Sequence, residues 1–450
     1  MDEKFEEKAL HYHSDGRAGK TAITVTKPCG TPQELSLAYT PGVAAPAIEI
    51  NKDRWKAYRY TNKGNLVAVI SNGSSVLGLG NIGAQASKPV MEGKAMLFKT
   101  YADIDAFDIE VGEEDPEKLI AIIQSIAPTF GGINLEDIKA PECFVIEERL
   151  RGLLDIPVLH DDQHGTAVTV CAALINACII AEKELSDARI VICGAGSAAI
   201  STARMLCNIG VQKKQITMVD SKGVINMERK DLNSYKAEFV TENGAITLQQ
   251  AMHGADIFIG LSRGGTATAD IIMSMAERPI IFALANPIPE IGYRQAKQLR
   301  PDAVVATGRS DSPNQVNNLL AFPYLFRGAL DTLSATINEE MKIAAAHAIA
   351  DVAREGASEE TEKQYGKRLQ FGHEYILPKP GDKRLLYAVS SAVAKAAMES
   401  GIARREIASF KEYRGALTNR LDCESYFYHE TIRHRATCKQ RGRHQRLQKI

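Results

Sequence analysis

Short apolar runs alternate with segments of helical periodicity along most of the chain. In the second half the runs are rich in Ile, Val and Ala, and the segments between them are long enough for helices. This alternation is typical of a parallel, doubly wound sheet. The strands predicted there are Arg189–Cys193, Ile216–Val219, Asp256–Gly260, Ile280–Ala283 and Ala303–Ala306.

The first half follows the same pattern. Its predicted strands are Asn65–Ile70, Ile104–Val111, Gly131–Leu135 and Ile156–His160. We therefore expect an α/β fold with two units, residues 1–187 and 188–418. After the last strand, helices are predicted over Thr336–Gly356 and Arg384–Gly401, and we expect them to pack against the first unit.

The composition is that of a soluble globular protein. Of the 450 residues, 45% are hydrophobic and 24% are charged, which excludes collagen-like, coiled-coil and wholly disordered chains. The longest nearly uncharged stretch, Ala167–Ala181, is shorter than the roughly 20 residues that span a bilayer, so we predict a buried helix there and no membrane contact.

The start of the chain is acidic and lacks the features of a signal peptide, which favours the cytoplasm. The eight cysteines are scattered without a CxxC pair, so we expect reduced thiols and no structural zinc.

Charge is distributed unevenly. The formal net charge is −1, but seven Lys or Arg and no acidic residue follow from Arg433 to the end, so the rest of the chain is acidic. No basic face points to nucleic acid as a partner of the globular part. We expect residues 419–450 to form a basic tail that packs on nothing, since they show no helical or strand period.

A glycine-rich turn gives the most specific local signal. The sequence ARIVICGAGSAAISTARML predicts a strand, a turn and a helix. Gly194 permits the tight turn, Gly196 lets the backbone approach a pyrophosphate, and the helix N-terminus faces the phosphates. This pattern indicates a Rossmann-like domain whose cofactor-binding residues are Gly194, Ala195, Gly196, Ser197 and Ala198.

Asp220 ends the next strand, where an acid usually binds the ribose 2′-hydroxyl of NAD. Ser221 and Lys222 follow at once and could hold the 2′-phosphate of NADP instead. The residues alone leave the choice between NAD and NADP open.

A second GxGxxG pattern runs from Gly78 to Gly83. No complete βαβ unit with a terminal acid follows it. We interpret it as a tight backbone turn that either is purely structural or lines the cofactor cleft.

Two acidic pairs end predicted strands: Glu136-Asp137 and Asp161-Asp162. Carboxylates are ligands suited to Mg²⁺ or Mn²⁺. Either pair alone is more often a helix cap, but both lie at the C-terminal ends of parallel strands, where α/β proteins form ligand sites. We therefore favour a metal site.

Four further residues have side chains that could serve catalysis. A buried lysine such as Lys94 can act as a base, Tyr39 can donate a proton, and Asn286 and Asn318 can hold a substrate carboxylate. Each of them taken alone is an ordinary helix or turn residue.

Taken together, the motifs resemble the malic enzymes, particularly the bacterial NADP-linked type. The resemblance runs in order from about residue 10 to about residue 418 and rests on LSLAYTPGVA, GLGNIG, KPVMEGKAMLFK, FGGINLEDIKAPECF, HDDQHGTA, VICGAGSAA, FALANPIPE and GRSDSPNQVNNLLAFPYLFRGAL. It makes the first unit a substrate and metal domain and the second an NAD(P)-binding domain.

The resemblance also implies roles for single residues. Tyr39 is then the general acid and Lys94 the general base, with Asp161 beside the metal ligands. The implied metal ligands are Glu136, Asp137 and Asp162, and the implied contacts of the malate carboxylates are Asn286 and Asn318, with Asn286 also beside the cofactor.

The implied reaction is the oxidative decarboxylation of (S)-malate to pyruvate and CO₂, with reduction of NADP or NAD and with Mg²⁺ or Mn²⁺. Lys94 takes the proton of the C2 hydroxyl while hydride passes to the nicotinamide, and Tyr39 protonates C3 after CO₂ has left. A homo-oligomer is expected. The alternatives are a malolactic or oxaloacetate-decarboxylating activity at the same site, and a catalytically silent nucleotide-binding protein.

Two departures from the family stand out. Larger members have a substrate-contacting arginine where this chain has Ser71–Ser75, so binding of malate must rely more on the metal, asparagines and backbone NH groups. The bacterial type usually continues into a phosphotransacetylase-like domain, whereas family-like sequence here fades near EYRGALTNR.

Overall fold

Two sheets organise the chain, as shown by a computed structural model that describes residues 3–15, 18–76, 78–242 and 244–420. The strands are β1 (Leu66–Ser71), β2 (Asp105–Glu110), β3 (Gly132–Leu135), β4 (Val158–His160), β5 (Ile190–Cys193), β6 (Ile216–Asp220), β7 (Gly223–Val224), β8 (Ile257–Gly260), β9 (Ile280–Ala283) and β10 (Val304–Thr307).

Helices connect and cover the sheets. They are α1 (Glu3–Ser14), α2 (Pro32–Ala38), α3 (Ala44–Lys52), α4 (Ala57–Tyr60), α5 (Gly83–Ala102), α6 (Pro116–Ile126), α7 (Glu142–Leu153), α8 (Asp161–Ala181), α9 (Ser197–Asn208), α10 (Ser234–Ala237), α11 (Leu248–Met252), α12 (Ala269–Met273), α13 (Tyr293–Leu299), α14 (Phe322–Asp331), α15 (Glu339–Arg354), α16 (Glu359–Tyr365) and α17 (Arg384–Glu399). Residues 410–420 are also helical.

The first sheet has the strand order β2-β1-β3-β4 and is parallel throughout. The second has the order β10-β9-β8-β5-β6-β7, and only the short β7 is antiparallel to its neighbour. Every strand predicted from the sequence is present, with ends shifted by about one or two residues. The predicted α/β architecture, with a Rossmann-like second sheet, is confirmed.

The second sheet is covered on both faces, as its doubly wound topology requires. Side chains along each strand alternate between two apolar cores: Ile190 and Ile192 enter the large core, whereas Val191 and Cys193 enter a smaller core on the other face. The large core also contains the apolar residues of the first sheet. One continuous apolar interior therefore joins the two sheets.

Helix α8 lies in the middle of this interior. It is long and apolar enough to cross a membrane by length and composition, but 72% of its most apolar window is buried inside the protein. It packs against α9 and α15, and Asn176 donates hydrogen bonds to the carbonyls of Ala350 and Ile376 at 2.9 and 2.8 Å. The predicted buried helix is thus present, and α15 packs on it as expected.

Most of the predicted tail, residues 421–450, lies outside the described residues. Its first two residues are described and are helical. Arg420 forms an ion pair with Asp103 at 3.0 Å, so the packed part of the chain reaches at least this position.

A buried arginine ties the C-terminal helices to the first sheet. Arg327 is 1% exposed and donates to Asp331 at 2.9 and 2.5 Å and to Asn65 Oδ1, just before β1, at 2.6 Å. The Tyr413 hydroxyl donates to the same aspartate at 2.7 Å. This network links three distant parts of the chain.

We predict that Arg327→Met lowers the free energy of unfolding by about 3 kcal/mol, because it removes a buried guanidinium and leaves the mostly buried Asp331 carboxylate without its counter-charge. Urea denaturation followed by circular dichroism measures the change. Arg149→Met is the matched control, since Arg149 pairs with Glu117 on the surface and such pairs contribute little. Equal, small effects of both substitutions would contradict the assignment.

Candidate active site

Strand register brings the two acidic pairs together. Leu135 of β3 is paired with His160 of β4, so the residues that follow, Glu136 and Asp161, leave the sheet side by side. Both side chains are buried, at 4% and 0% exposure. The C-terminal edge of the first sheet therefore holds two carboxylates away from water.

Lys94 reaches this edge from α5. Its ammonium lies 2.7 Å from Glu136 Oε1 and 2.6 Å from Asp161 Oδ2, and the residue is only 7% exposed. The same nitrogen lies 4.3 Å from the centre of the Phe322 ring. Lys94 is therefore not the exposed helix lysine that its sequence alone would suggest.

The charges in this cluster shift one another's pKa. Burial raises the pKa of Glu136 and that of Asp161 to about 7, against the opposing effect of Lys94. Burial lowers the pKa of Lys94, but the carboxylates of Asp161, Glu136 and Asp162 outweigh burial, and the pKa lies above its ordinary value. Burial here comes together with carboxylate partners, so burial alone does not set the pKa of Lys94, and its role as the base stays a prediction.

The second member of each acidic pair lies next to the first. The Asp137 backbone NH donates to Asp162 Oδ2 at 2.8 Å, and Asp137 has the left-handed φ of 53° that turns the chain out of the strand. Burial raises the pKa of Asp162 to about 6, although its side chain is 33% exposed. A helix-capping role does not describe Asp161, whose Oδ2 binds Lys94 and Asn318.

Gly165 leaves room for the Asp161 carboxylate. A Cβ atom at Gly165 would lie 1.9 Å from Asp161 Oδ1. That oxygen is buried without a hydrogen-bond partner. Such orphaned carboxylate oxygens are unfavourable unless a cation or a proton donor satisfies them.

The donor set fits a hard divalent cation. Carboxylate oxygens are the preferred ligands of Mg²⁺ and Mn²⁺, and four carboxylates here accompany one lysine. Within the described ranges, however, no three Asp, Glu, His or Cys side chains converge on one point that could hold an ion. Glu136 binds Lys94 and Asn134 instead, so an ion would have to compete with these partners.

Asn318 belongs to the cluster, and two of its neighbours were missed from the sequence. Asn318 Nδ2 donates to Asp161 Oδ2 at 2.5 Å. Asn134 donates to Glu136 Oε2 at 2.9 Å from within β3, and Phe322 lies against Lys94. A fully buried Asn two residues before Glu136 on the same strand face is the signal that could have indicated Asn134.

Tyr39 is not brought to this cluster. Its side chain is 69% exposed at the end of α2, and over the described residues its hydroxyl makes no hydrogen bond to Lys94 or to the carboxylates. Neither α2 nor α3 has a buried residue. Among the described residues, the structure thus shows no contact between the expected general acid and the expected base within one chain.

The turn Ser71–Ser75 supports the acidic edge and is buried except at Ser75. Ser74 Oγ accepts a hydrogen bond from the Lys139 backbone NH at 3.0 Å, and the Ser75 NH donates to the Asp137 carbonyl at 3.0 Å. This stretch thus fixes the backbone around Asp137.

The second glycine-rich turn joins the two units. Gly78 has a φ of 76°, and a Cβ atom there would lie 2.8 Å from the Asn286 carbonyl oxygen. A Cβ atom at Gly308 would lie 2.7 Å from Asn286 Nδ2, so the space beside the Asn286 side chain is equally small. The turn therefore has a structural role at the junction, and it places Asn286 between the sheets.

The dinucleotide turn has the predicted conformation. Gly194 follows β5 with a φ of 130°, and a Cβ atom there would lie 2.3 Å from the Leu261 carbonyl oxygen. Gly196 precedes the first turn of α9, where Ser197 and Ala198 lie, and Ala199 is fully buried against the sheet. The backbone NH groups at the start of α9 are available to a phosphate.

Asp220 does not present a free carboxylate. Arg229 donates to both of its oxygens, at 3.0 and 3.1 Å, and Lys236 donates to Oδ2 at 2.7 Å. Its pKa falls to about 2, because these hydrogen bonds outweigh burial. The position at which an acid would bind a ribose hydroxyl is thus surrounded by cations.

Comparison with known proteins agrees with this geometry. A family model described as "Malic enzyme, N-terminal domain" matches residues 18–151, and one described as "Malic enzyme, NAD binding domain" matches residues 163–365. The predicted boundary at residue 187 stays a prediction.

Relatives and structures extend the match over the chain. The "NADP-dependent malic enzyme" of Escherichia coli is 55% identical over 93% of this chain, which spans about half of that protein (56%). That of Halomonas elongata is 53% identical over 88% of this chain and 94% of its own length. A crystal structure of malic enzyme from Pyrococcus horikoshii superimposes with a TM-score of 0.86 at 42% identity, covering 95% of this chain and 97% of the other. These matches show that the chain belongs to the malic enzyme family.

Proposed function

We propose that this protein oxidatively decarboxylates malate to pyruvate and CO₂ with a nicotinamide cofactor. The observation that carries the proposal is the buried ammonium of Lys94 held between Glu136 and Asp161, in a chain that also contains the dinucleotide turn of β5 and α9. A base and acidic metal ligands occupy one unit and the hydride acceptor binds the other, as the reaction requires.

Lys94 is proposed to take the proton of the C2 hydroxyl as hydride leaves C2. In the carboxylate cluster alone it is protonated, since its pKa is raised. A divalent cation held by Glu136, Asp137 and Asp162 would polarise the substrate hydroxyl and accept charge as CO₂ leaves. Positive charge on those carboxylates would also lower the pKa of Lys94 and allow it to serve as the base.

Asn318 and Asn286 are proposed to bind the malate carboxylates. Asn318 already lies at Asp161, and Asn286 lies at the junction of the two units. Their amide NH₂ groups are suitable donors to a carboxylate and add no charge to the site. A cytoplasmic location stays the prediction made from the sequence.

We predict malate-dependent NADPH formation in the presence of Mn²⁺, and its loss in Lys94→Ala by about 10²–10⁴-fold, since a general base contributes about that factor. Absorbance at the NADPH maximum measures the rate, and pyruvate is quantified as product. Fluorescence titration should show unchanged NADPH binding, because Lys94 lies outside the second sheet.

Lys99→Ala is the matched control, because Lys99 lies on the same helix and pairs with Asp103 at the surface. It should retain activity. Lactate in place of pyruvate, without net NADPH, would favour the malolactic alternative. No turnover with either cofactor would leave the silent nucleotide-binding protein as the better interpretation.

NADP is proposed as the preferred cofactor. Asp220 is neutralised by Arg229 and Lys236, so it no longer argues for a ribose 2′-hydroxyl. The same two cations, with Lys222 beside them, are suited to a 2′-phosphate.

Lys236→Ala should lower kcat/KM for NADP about tenfold, the effect of losing one charge-assisted hydrogen bond, and change kcat/KM for NAD little. Initial rates with each cofactor measure both values. Lys230→Ala is the control, since Lys230 is an exposed lysine of the same loop. An unchanged ratio of the two kcat/KM values would show that these cations do not bind the phosphate.

Tyr39 is proposed to act in the site of a second copy of the chain. The described part of the segment before β1 has no buried residue up to Tyr60 and exposes apolar side chains, among them Leu35, Leu37 and Val43. A contiguous apolar surface of this kind is typical of a protein interface. A symmetric dimer would bury it and could bring the partner's Tyr39 to Lys94.

Mixed dimers of Tyr39→Phe and Lys94→Ala chains should regain activity. In such a dimer one site combines the intact Lys94 of one chain with the intact Tyr39 of the other, whereas each variant alone has no complete site. Co-expression with two different affinity tags isolates the mixed species for rate measurement. Mixed dimers as inactive as the parent variants would mean that both residues act within one chain.

A further inference from the structure

An open cavity of about 750 Å³ is lined by residues of α7, α8, α9, α10 and α15, and Lys94 is not among them. Its walls thus come from both family-model regions, and the reaction proposed above uses none of the side chains that line it.

Hydrogen-bond donors collect on one wall of this cavity. Gln163 is 1% exposed, its Oε1 accepts from Ser201 at 3.3 Å, and its Nε2 has no partner. Thr336 Oγ1, on the same cavity, is also buried without a partner. Unsatisfied buried polar atoms of this kind are unfavourable unless a ligand or an ordered water completes them.

Arg151 supplies positive charge to the same wall. Its guanidinium makes one long hydrogen bond, 3.4 Å, to the Ile337 carbonyl. The buried carboxylate of the cavity, Glu147, already pairs with His164 at 2.9 Å, and the half-exposed Glu339 pairs with Lys342 at 2.5 Å. A guanidinium with unused NH groups is suited to a carboxylate.

Part of the lining is aromatic, and we call it the aromatic wall. The rings of Phe144 and Tyr235 are stacked with their centres 4.2 Å apart, and Met205 lies on the same cavity. Arg204 covers both rings but is paired with Glu238. A cavity lined both by aromatic rings and by hydrogen-bond donors favours a ligand with a hydrocarbon part and an anionic end over a bare inorganic ion.

The cavity is connected to the proposed metal ligands through α8. Gln163 follows Asp162 directly, and Glu147 accepts hydrogen bonds from the His160 backbone NH at 3.0 Å and from His164. Lys342 Nζ extends this series of hydrogen bonds by donating to His164 Nδ1 at 3.1 Å. A ligand that binds Gln163 therefore acts on the same helical turn that carries Asp161 and Asp162.

We infer that this cavity is a second small-molecule site, which binds an organic carboxylate and thereby changes the metal affinity of the carboxylate cluster. Arg151 and the Gln163 amide hold the carboxylate, and the aromatic wall takes the hydrocarbon part. The binding part of this inference stands by itself, whereas the coupling part rests on the proposed metal site.

Glutarate is the probe for binding, and calorimetric titration of the full chain in the presence of Mn²⁺ and NADP measures it. Arg151→Met should weaken the cavity-bound component about tenfold, as expected for the loss of a hydrogen bond to a charged group. Thr336→Val should weaken it less. Arg149→Met, on the outer face of the same helix, should have no effect.

The Arg151→Met substitution should not affect glutarate that binds at Lys94. The difference in glutarate binding between wild type and Arg151→Met therefore reports on the cavity alone. Identical glutarate binding in wild type, Arg151→Met and Thr336→Val would overturn the inference. Inorganic phosphate that binds as tightly as glutarate would also overturn it, because the aromatic wall would then contribute nothing.

Coupling is measured by titrating Mn²⁺ with detection of the free ion by electron paramagnetic resonance. The Mn²⁺ dissociation constant should change with glutarate in wild type and not in Arg151→Met, and glutarate affinity should change by the same factor with Mn²⁺. An unchanged Mn²⁺ constant would overturn the regulatory part. No Mn²⁺ binding at all would contradict the metal site and leave the calorimetric result to decide on the cavity.

Discussion

The ammonium of Lys94 between the carboxylates of Glu136 and Asp161 is the interaction on which the site depends. Three charges lie there almost without water, and unpaired charges in such an environment are strongly unfavourable. Their positions are fixed by different elements: the carboxylates follow paired strands, and the lysine comes from α5. Any change in how α5 packs on the sheet would therefore separate the charges. The ion pairs of Lys94 thus depend on the packing of the first unit.

The cluster as a whole carries more negative than positive charge. Glu136, Asp137, Asp161 and Asp162 lie around one lysine, and the pKa values of three of these acids are raised. Lys94 and a divalent cation would compete for the same oxygens. The same competition explains how one lysine could hold the site together as an ammonium and yet act as a base in the reaction, because a cation on the carboxylates removes the interaction that keeps the proton on Lys94.

Much of the fold could be predicted because its signals are local. Strands such as Ile280–Ala283 are short apolar runs between helices, and the turn at Gly194 has a backbone requirement that only glycine meets easily. The acidic pairs could also be placed, since parallel strands end at a common edge. What the sequence could not give are partners distant along the chain. Arg229 and Lys236, nine and sixteen residues further on, donate hydrogen bonds to Asp220. The exposed Tyr39 ends an α2 helix that has no buried residue.

The protonation of Lys94 belongs to the same class of properties. Burial and carboxylate partners shift a lysine pKa in opposite directions, and a sequence shows neither of them quantitatively. The sequence of residues 91–95 predicts a half-buried helix position. Such a position is equally compatible with a neutral Lys94 that acts as a base and with a charged ammonium. Only the register of β3 with β4, which places two carboxylates within 2.7 Å of the nitrogen, decides which effect is larger.

Helix α8 explains why the site and the interior cannot be treated separately. Its first turn carries Asp161 and Asp162, its middle is buried among residues of both sheets, and Asn176 binds the C-terminal region. A carboxylate at the first turn of a helix is favoured by the helix dipole, but that effect is small compared with the cost of burying the charge. The buried remainder of α8 holds these carboxylates in place. If the first residues of the helix turned toward water, the rest of the helix would have to move with them. That movement would disrupt the apolar interior that both sheets share.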